Sequence, residues 1–309
     1  MAHAKVHSYM QLGAWLQYAA CGVVLLLCGC GGKSVPATPD ASALAGNWLI
    51  AGPMPTNGLA TSTGFRLALT FDVNGSNVSA AGFGNDSCSN VESSFGFGSL
   101  ASGTVAADGS FTLQTPSGFP EGTMSIQGTI PKANGNSWPG SYTASFSSPL
   151  TPLTCDTNLA GTFTATSFPL VSGVYVGTGS SEAIVNGALV TIPITFQVTL
   201  QQGGTVTNPV NGAPAPYSSN AVLVGSIRVQ GSPCFTSGAT SATTPQSAVE
   251  GNMVSANFTM DDGSTLTILG SLTDHSETRI ATTVAVLHSG QCGGAFPTIY
   301  QLPELDRQS

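Results

Sequence analysis

Few side chains in this sequence could do chemistry, and they are scattered. Thr-Asp-His-Ser-Glu-Thr, at Thr273–Thr278, sets His275 beside Asp274 and Glu277. These residue types bind metals or move protons. The segment follows the apolar run LTILGSL, however, and reads more simply as a polar hairpin loop. The matching stretch earlier in the chain, PKANGNSW, has neither histidine nor acid. His288, just past another apolar run, reads as a strand-edge or capping residue. Serine is abundant, but no G-x-S-x-G elbow occurs, and a triad is defined by geometry rather than order. Gly31-Gly32-Lys33-Ser34 ends as a phosphate-binding loop would, yet Leu27 stands where the opening glycine belongs. Asp108-Gly109-Ser110 and Asp261-Asp262-Gly263-Ser264 lack the spacing of a calcium loop. They read as hairpin turns, with glycine supplying a positive φ. No metal and no cofactor is expected.

The clearest chemistry is at the N-terminus. Lys5 precedes an uncharged stretch from Tyr9 to Gly32, whose densest apolar part is CGVVLLLC. That part is too short for a bilayer span, which needs about 20 apolar residues. A charged start, an apolar centre and a small-residue end describe a secretory signal peptide. Leu27-Cys28-Gly29-Cys30 resembles the bacterial lipobox, in which the final cysteine is lipidated and becomes the mature N-terminus. The resemblance implies a signal peptide over 1–29 and lipid on Cys30, with Cys28 in an unusual slot. A plain signal peptide or an uncleaved anchor are the alternatives. Two or more acyl chains on one cysteine suffice for stable anchoring.

After a linker over 30–43, the elements repeat. Alternating runs such as FRLALTFDV end in turn signals, Asn74-Gly75 first and Gly203-Gly204 after ITFQVTLQQ. GNW (Gly46–Trp48) matches GVY (Gly173–Tyr175). GTV at Gly103 matches GNM at Gly251. SFTL (Ser110–Leu113) matches NFTM (Asn257–Met260), MSIQGTI matches LTILGSL, and SYTASF matches IATTVAV, all in one order. This predicts two homologous all-β domains, 44–169 and 170–304, each an antiparallel barrel or sandwich, followed by a tail over 305–309. The G-x-W and G-x-Y openings resemble those of lipocalin-like and avidin-like barrels, which implies an aromatic side chain closing the barrel floor.

The repeat places one cysteine pair in each domain. Four cysteines allow three pairings; repeat equivalence favours Cys88–Cys155 and Cys234–Cys292. Each closes a loop of about 60–70 residues, worth about 4 kcal/mol in the chain-entropy account. Disulfides require an oxidising compartment, consistent with export. Among aromatics, Trp48 is expected in the core. Trp138, in GNSWPG, is expected to be exposed and able to stack on a sugar or a partner. The Pro-rich insertion Thr207–Asn220, with Tyr217 near its end, is the second candidate contact.

Composition limits the partners. The chain has 7 Lys and Arg against 15 Asp and Glu, a net charge of −8. Nucleic acid, which demands clustered cations, is excluded as a partner. The reading that results is an exported protein, lipid-anchored to the bacterial envelope with the outer membrane as the expected site. It would act as a binding module for a glycan, a small hydrophobic ligand or an envelope protein. A hydrolase with an unrecognised site and a structural or adhesive component are the alternatives.

Overall fold

The structure is a computed structural model. The structure describes residues 40–52, 65–85, 92–95, 101–115, 122–132, 135–146, 158–185, 188–207, 216–243, 246–273, 279–288, 298–302 and 304–308. Residues 1–39 with Cys30, residues 274–278 with His275, and Cys88, Cys155 and Cys292 lie outside these residues.

The described residues contain no α-helix. After a 3-10 turn at Ala41–Leu44, the first barrel is built from β1 (Gly46–Gly52), β2 (Phe65–Asn74), β3 (Asn77–Asn85), β4 (Glu92–Phe95), β5 (Ala101–Val105), β6 (Ser110–Gln114), β7 (Gly122–Thr129), β8 (Ser137–Phe146) and β9 (Asn158–Phe168). Eight of them close a ring in the order β2-β1-β9-β8-β7-β6-β5-β3, with β3 returning to β2 and β4 added at the side of β3. The second barrel uses β10 (Ser172–Val185), β11 (Ala188–Gln202), β14 (Leu223–Gln230), β15 (Ser237–Thr240), β17 (Met253–Met260), β18 (Thr265–Leu272), β19 (Arg279–His288) and β20 (Thr298–Gln301). Its ring runs β11-β10-β20-β19-β18-β17-β15-β14, the same path as the first. Between its strands lie β12 (Thr205–Thr207), β13 (Pro216–Ser218) and β16 (Ala248–Glu250), and β21 (Glu304–Arg307) follows the ring. All pairings are antiparallel. The all-β, two-barrel expectation therefore holds, and closure removes the open sheet edges that would otherwise invite pairing with other chains.

Alternation explains why these strands close. In β2, Leu67, Leu69 and Phe71 point inward with at most 1% exposure; in β11, Ile194, Phe196, Val198 and Leu200 point inward with at most 3%. Each barrel has its own apolar core. An eight-stranded barrel is just wide enough for side chains to fill it. The first is filled by rings: Trp138 meets Trp48, Phe71, Phe111 and Phe163 edge-on at centroid distances of 5.1–6.3 Å.

The repeat has structural counterparts. GNW and GVY open β1 and β10, with Gly46 and Gly173 both at positive φ, 106° and 131°. Trp48 and Tyr175 are both buried, and Trp48 Nε1 donates to the Leu44 carbonyl at 2.8 Å. SFTL and NFTM fall on β6 and β17, which hold the same place in the two rings.

Two expectations are corrected. GTV and GNM are not equivalent: Gly103 lies inside β5, whereas Gly251 forms the β16–β17 turn at φ 56°. The strand matching β5 is interrupted here, β15 and β16 lying end to end along β17. Of the residues read as a tail, 305–307 belong to β21, which pairs with both β10 and β19 and buries Leu305 completely. Its charged residues disguised an alternating strand.

Candidate functional site

The two barrels meet along a seam whose polar groups come from both. Asn47 at the start of β1 and Gln202 at the end of β11 exchange hydrogen bonds. Asn47 Nδ2 donates to Gln202 Oε1 at 3.0 Å, and Gln202 Nε2 donates to Asn47 Oδ1 at 2.7 Å. Thr70 Oγ1 lies 2.8 Å from both Asn47 Oδ1 and the Val249 carbonyl, and accepts from the Gly251 N–H at 3.1 Å. Further along β2, Asp72 Oδ2 accepts from Ser219 Oγ at 2.5 Å and its Oδ1 from the Asn220 N–H at 2.6 Å. Asn220 Nδ2 donates to the Phe71 carbonyl.

Sequence parity explains this arrangement. With Leu67, Leu69 and Phe71 inside the barrel, Ala68, Thr70 and Asp72 face outward. Ala68 and Thr70 are nevertheless buried, at 6% and 0%, as is Ala81 beside Thr70 on β3. Their small size lets the second barrel sit close. A Cβ on Gly251 would lie 2.6 Å from the Trp48 carbonyl oxygen and 2.7 Å from the Ala68 Cα.

Where the seam opens, an outward groove of about 660 Å³ lies over β2, β3 and β5. The pairings Asp72–Ser79 and Ser79–Ser102 set one polar row across the three strands. Asn74–Asn77 and Asn77–Thr104 set the next. Ser219 of the second barrel walls one side. The lining offers hydroxyls, amides and a single carboxylate, and both oxygens of that carboxylate already accept hydrogen bonds. Such a surface can hydrogen-bond an uncharged, hydroxyl-rich molecule. It lacks the paired titratable groups that acid–base chemistry needs.

A second ionisable group lies in the seam itself. Glu250, the last residue of β16, is 4% exposed and its Oε2 has no hydrogen-bond partner. Burial pushes its pKa up to about 8.

The structure places the expected site residues differently. Trp138 is not exposed: at 1% it is the centre of the first barrel's aromatic core, and its Nε1–H has no acceptor. The Pro139-Gly140 pair that suggested a turn lies within β8, where Pro139 faces Thr164 of β9. Gly128 and Gly140 supply the interior room, a Cβ at Gly128 falling 2.7 Å from Trp138 Cζ3. Tyr217 is in β13, opposite Val206 of β12, so part of the insertion is a small ribbon. The end of that insertion, Ser219 and Asn220, is what reaches the first barrel. Cys234 is half-buried against the second core and is disulfide-bonded. His288 is exposed at the end of β19. The Asp108 and Asp262 turns form as expected, each carboxylate accepting from the N–H and hydroxyl of the serine two residues on. Among the described residues no cluster of His, Cys, Asp and Glu could hold a metal, and no helix is long and apolar enough to cross a membrane. Sequence reasoning missed Glu250 and the groove. No known protein family matches the chain, and no curated protein is significantly similar to it.

Proposed function

We propose that this chain is an exported, lipid-anchored envelope protein that binds an uncharged, hydroxyl-rich ligand of the glycan class in the groove beside the inter-barrel seam. The observation that carries the reading is the double row Asp72–Ser79–Ser102 and Asn74–Asn77–Thr104, walled by Ser219. Hydroxyls, amides and one carboxylate at strand spacing suit a molecule with many hydroxyls, and polar groups fix orientation in such sites. The filled interior of the first barrel favours a site outside it. Lipid on Cys30 would hold the module at the envelope, and the pairs Cys88–Cys155 and Cys234–Cys292 would staple each barrel after export.

Screening the full mature chain against neutral oligosaccharides tests the ligand class. Ser102→Trp, on an exposed outward position, should abolish binding while leaving the circular dichroism spectrum unchanged. Binding that survives this substitution, or no neutral oligosaccharide bound at all, refutes the groove. Cys30→Ser should release the protein from membranes and block acyl labelling; a variant that stays membrane-bound refutes the anchor.

A further inference from the structure

Glu250 sits where β16 turns into β17. Its neighbour Val249 points into the second barrel's core, so alternation puts Ala248 and Glu250 on that barrel's outside. Both are buried all the same, each at 4%. The first barrel covers them: β16 lies against β1, β2 and β3. Val249 and Gly251, on either side of Glu250, both hydrogen-bond Thr70. A glutamate in this position has an unpartnered oxygen, buried where β16 lies against β1, β2 and β3.

Among the described residues no ion pair reaches it. β1, β3 and β17 carry no charged side chain. β2 carries Arg66, which pairs with Ala51 two residues before Ala68, and Asp72, a carboxylate already bound by Ser219 and Asn220. β14 carries Arg228, which is exposed. A buried carboxylate without a partner is among the most costly arrangements a fold can contain, and the neutral acid is the form that fits.

We propose that Glu250 is a proton-operated latch of the inter-barrel seam: as the neutral acid it keeps the β16–β17 hairpin seated on the first barrel, and as the carboxylate it drives the hairpin off. This stands whether or not the groove binds a glycan. The sign follows from burial, which raises the folded-state pKa from 4.5 to about 8. The stabilisation is fully present below pH 4.5. Between the two values the unfolded chain ionises and the folded one does not, so the folding constant falls about tenfold per pH unit and levels off above 8.

The test uses the full chain and its E250Q variant. Carbon-13 NMR of the glutamate side-chain carboxyls should show Glu250 titrating near 8. Protection of the Gly251 amide, corrected for intrinsic exchange, should fall about tenfold per pH unit in wild type between pH 4.5 and 8, level off above 8 and stay constant in E250Q. A Glu250 carboxyl titrating near 4.5, or equal loss of Gly251 protection in E250Q, overturns the latch. Should E250Q fail to fold, the wild-type carboxyl titration and Gly251 protection decide: the carboxyl must titrate near 8, and protection must fall below that pH and level off above it, and any other result overturns it.

Discussion

Asn47 and Gln202 face each other across the seam as a closed amide pair, 155 residues apart in sequence. All four amide hydrogens are used: Asn47 Nδ2 also donates to the Pro169 carbonyl, and Gln202 Nε2 to the Asn220 carbonyl. Gln202 Oε1 accepts in addition from the Val171 N–H. The pair thus binds the inter-barrel connection as well as both barrels. Both side chains are buried, at 1% and 7%, so removing either strands several polar groups.

Asn47→Ala and Gln202→Ala should each lower stability by about 2–4 kcal/mol, since each unsatisfied buried group costs about 1–3 kcal/mol. The double variant should cost clearly less than the sum, because the second truncation removes partners the first left unpaired. Urea denaturation of the four proteins measures this. Additive losses would mean that the two amides do not act as a pair.

The turn that touches the first barrel gives a controlled comparison. Gly75 and Gly251 share nearly the same backbone, φ 62° and 56°. A Cβ on Gly75 meets nothing within 4 Å, whereas on Gly251 it strikes the Trp48 carbonyl and Ala68. Gly75→Ala should cost only the left-handed penalty, about 1–2 kcal/mol. Gly251→Ala should cost at least twice as much and unseat the seam. Similar losses in the two variants would show that the close approach carries no energy.

Much of the fold was legible because it is written locally. Leu67, Leu69 and Phe71 alternate, Asn74-Gly75 turns the chain, and the second copy repeats both devices. Ring closure was less legible, since it depends on β1 meeting β9 more than 100 residues later. The seam was hidden for a specific reason. Ala68, Thr70 and Ala81 occupy outward positions, which by parity read as solvent-facing, and only their small size hints at a neighbour. Glu250 sits in Val249-Glu250-Gly251-Asn252, a stretch indistinguishable from an exposed hairpin. The groove needs three strands in register plus Ser219, a juxtaposition no local pattern encodes.

Alkaline pH should find a weak point in the second barrel. Tyr300 is buried between Phe196 and Phe235, with ring centroids 6.0 and 6.4 Å away. Burial first, and the nearby Asp262 charge second, raise its pKa above the usual 10.0. The sign is the same as for any acid with a raised folded pKa. The Tyr300 contribution is intact below pH 10 and lost as pH climbs beyond it, where the unfolded phenol ionises and the folded one does not. Tyr300→Phe should reduce the alkaline loss, followed by phenolate absorbance together with far-ultraviolet circular dichroism. An unchanged alkaline midpoint would show that Tyr300 is not the group resisting ionisation.

The two tryptophans of the first barrel should respond differently to the same change. Both are buried, so iodide should quench neither in the folded chain. Trp48 Nε1 donates to the Leu44 carbonyl at 2.8 Å, while Trp138 Nε1 has no acceptor. Trp48→Phe therefore removes volume and a hydrogen bond, and Trp138→Phe removes volume and an unsatisfied donor. Trp48→Phe should be the more destabilising by about 1 kcal/mol, the net worth of one hydrogen bond. Trp138→Ala, which empties the space among Trp48, Phe71, Phe111 and Phe163, should cost about 3–5 kcal/mol. Denaturant midpoints for the three variants, with iodide quenching of wild type, measure the whole set. Strong quenching of Trp138, or Trp138→Phe proving the more costly of the two phenylalanine substitutions, would contradict a ring sealed in the barrel core with its N–H unused.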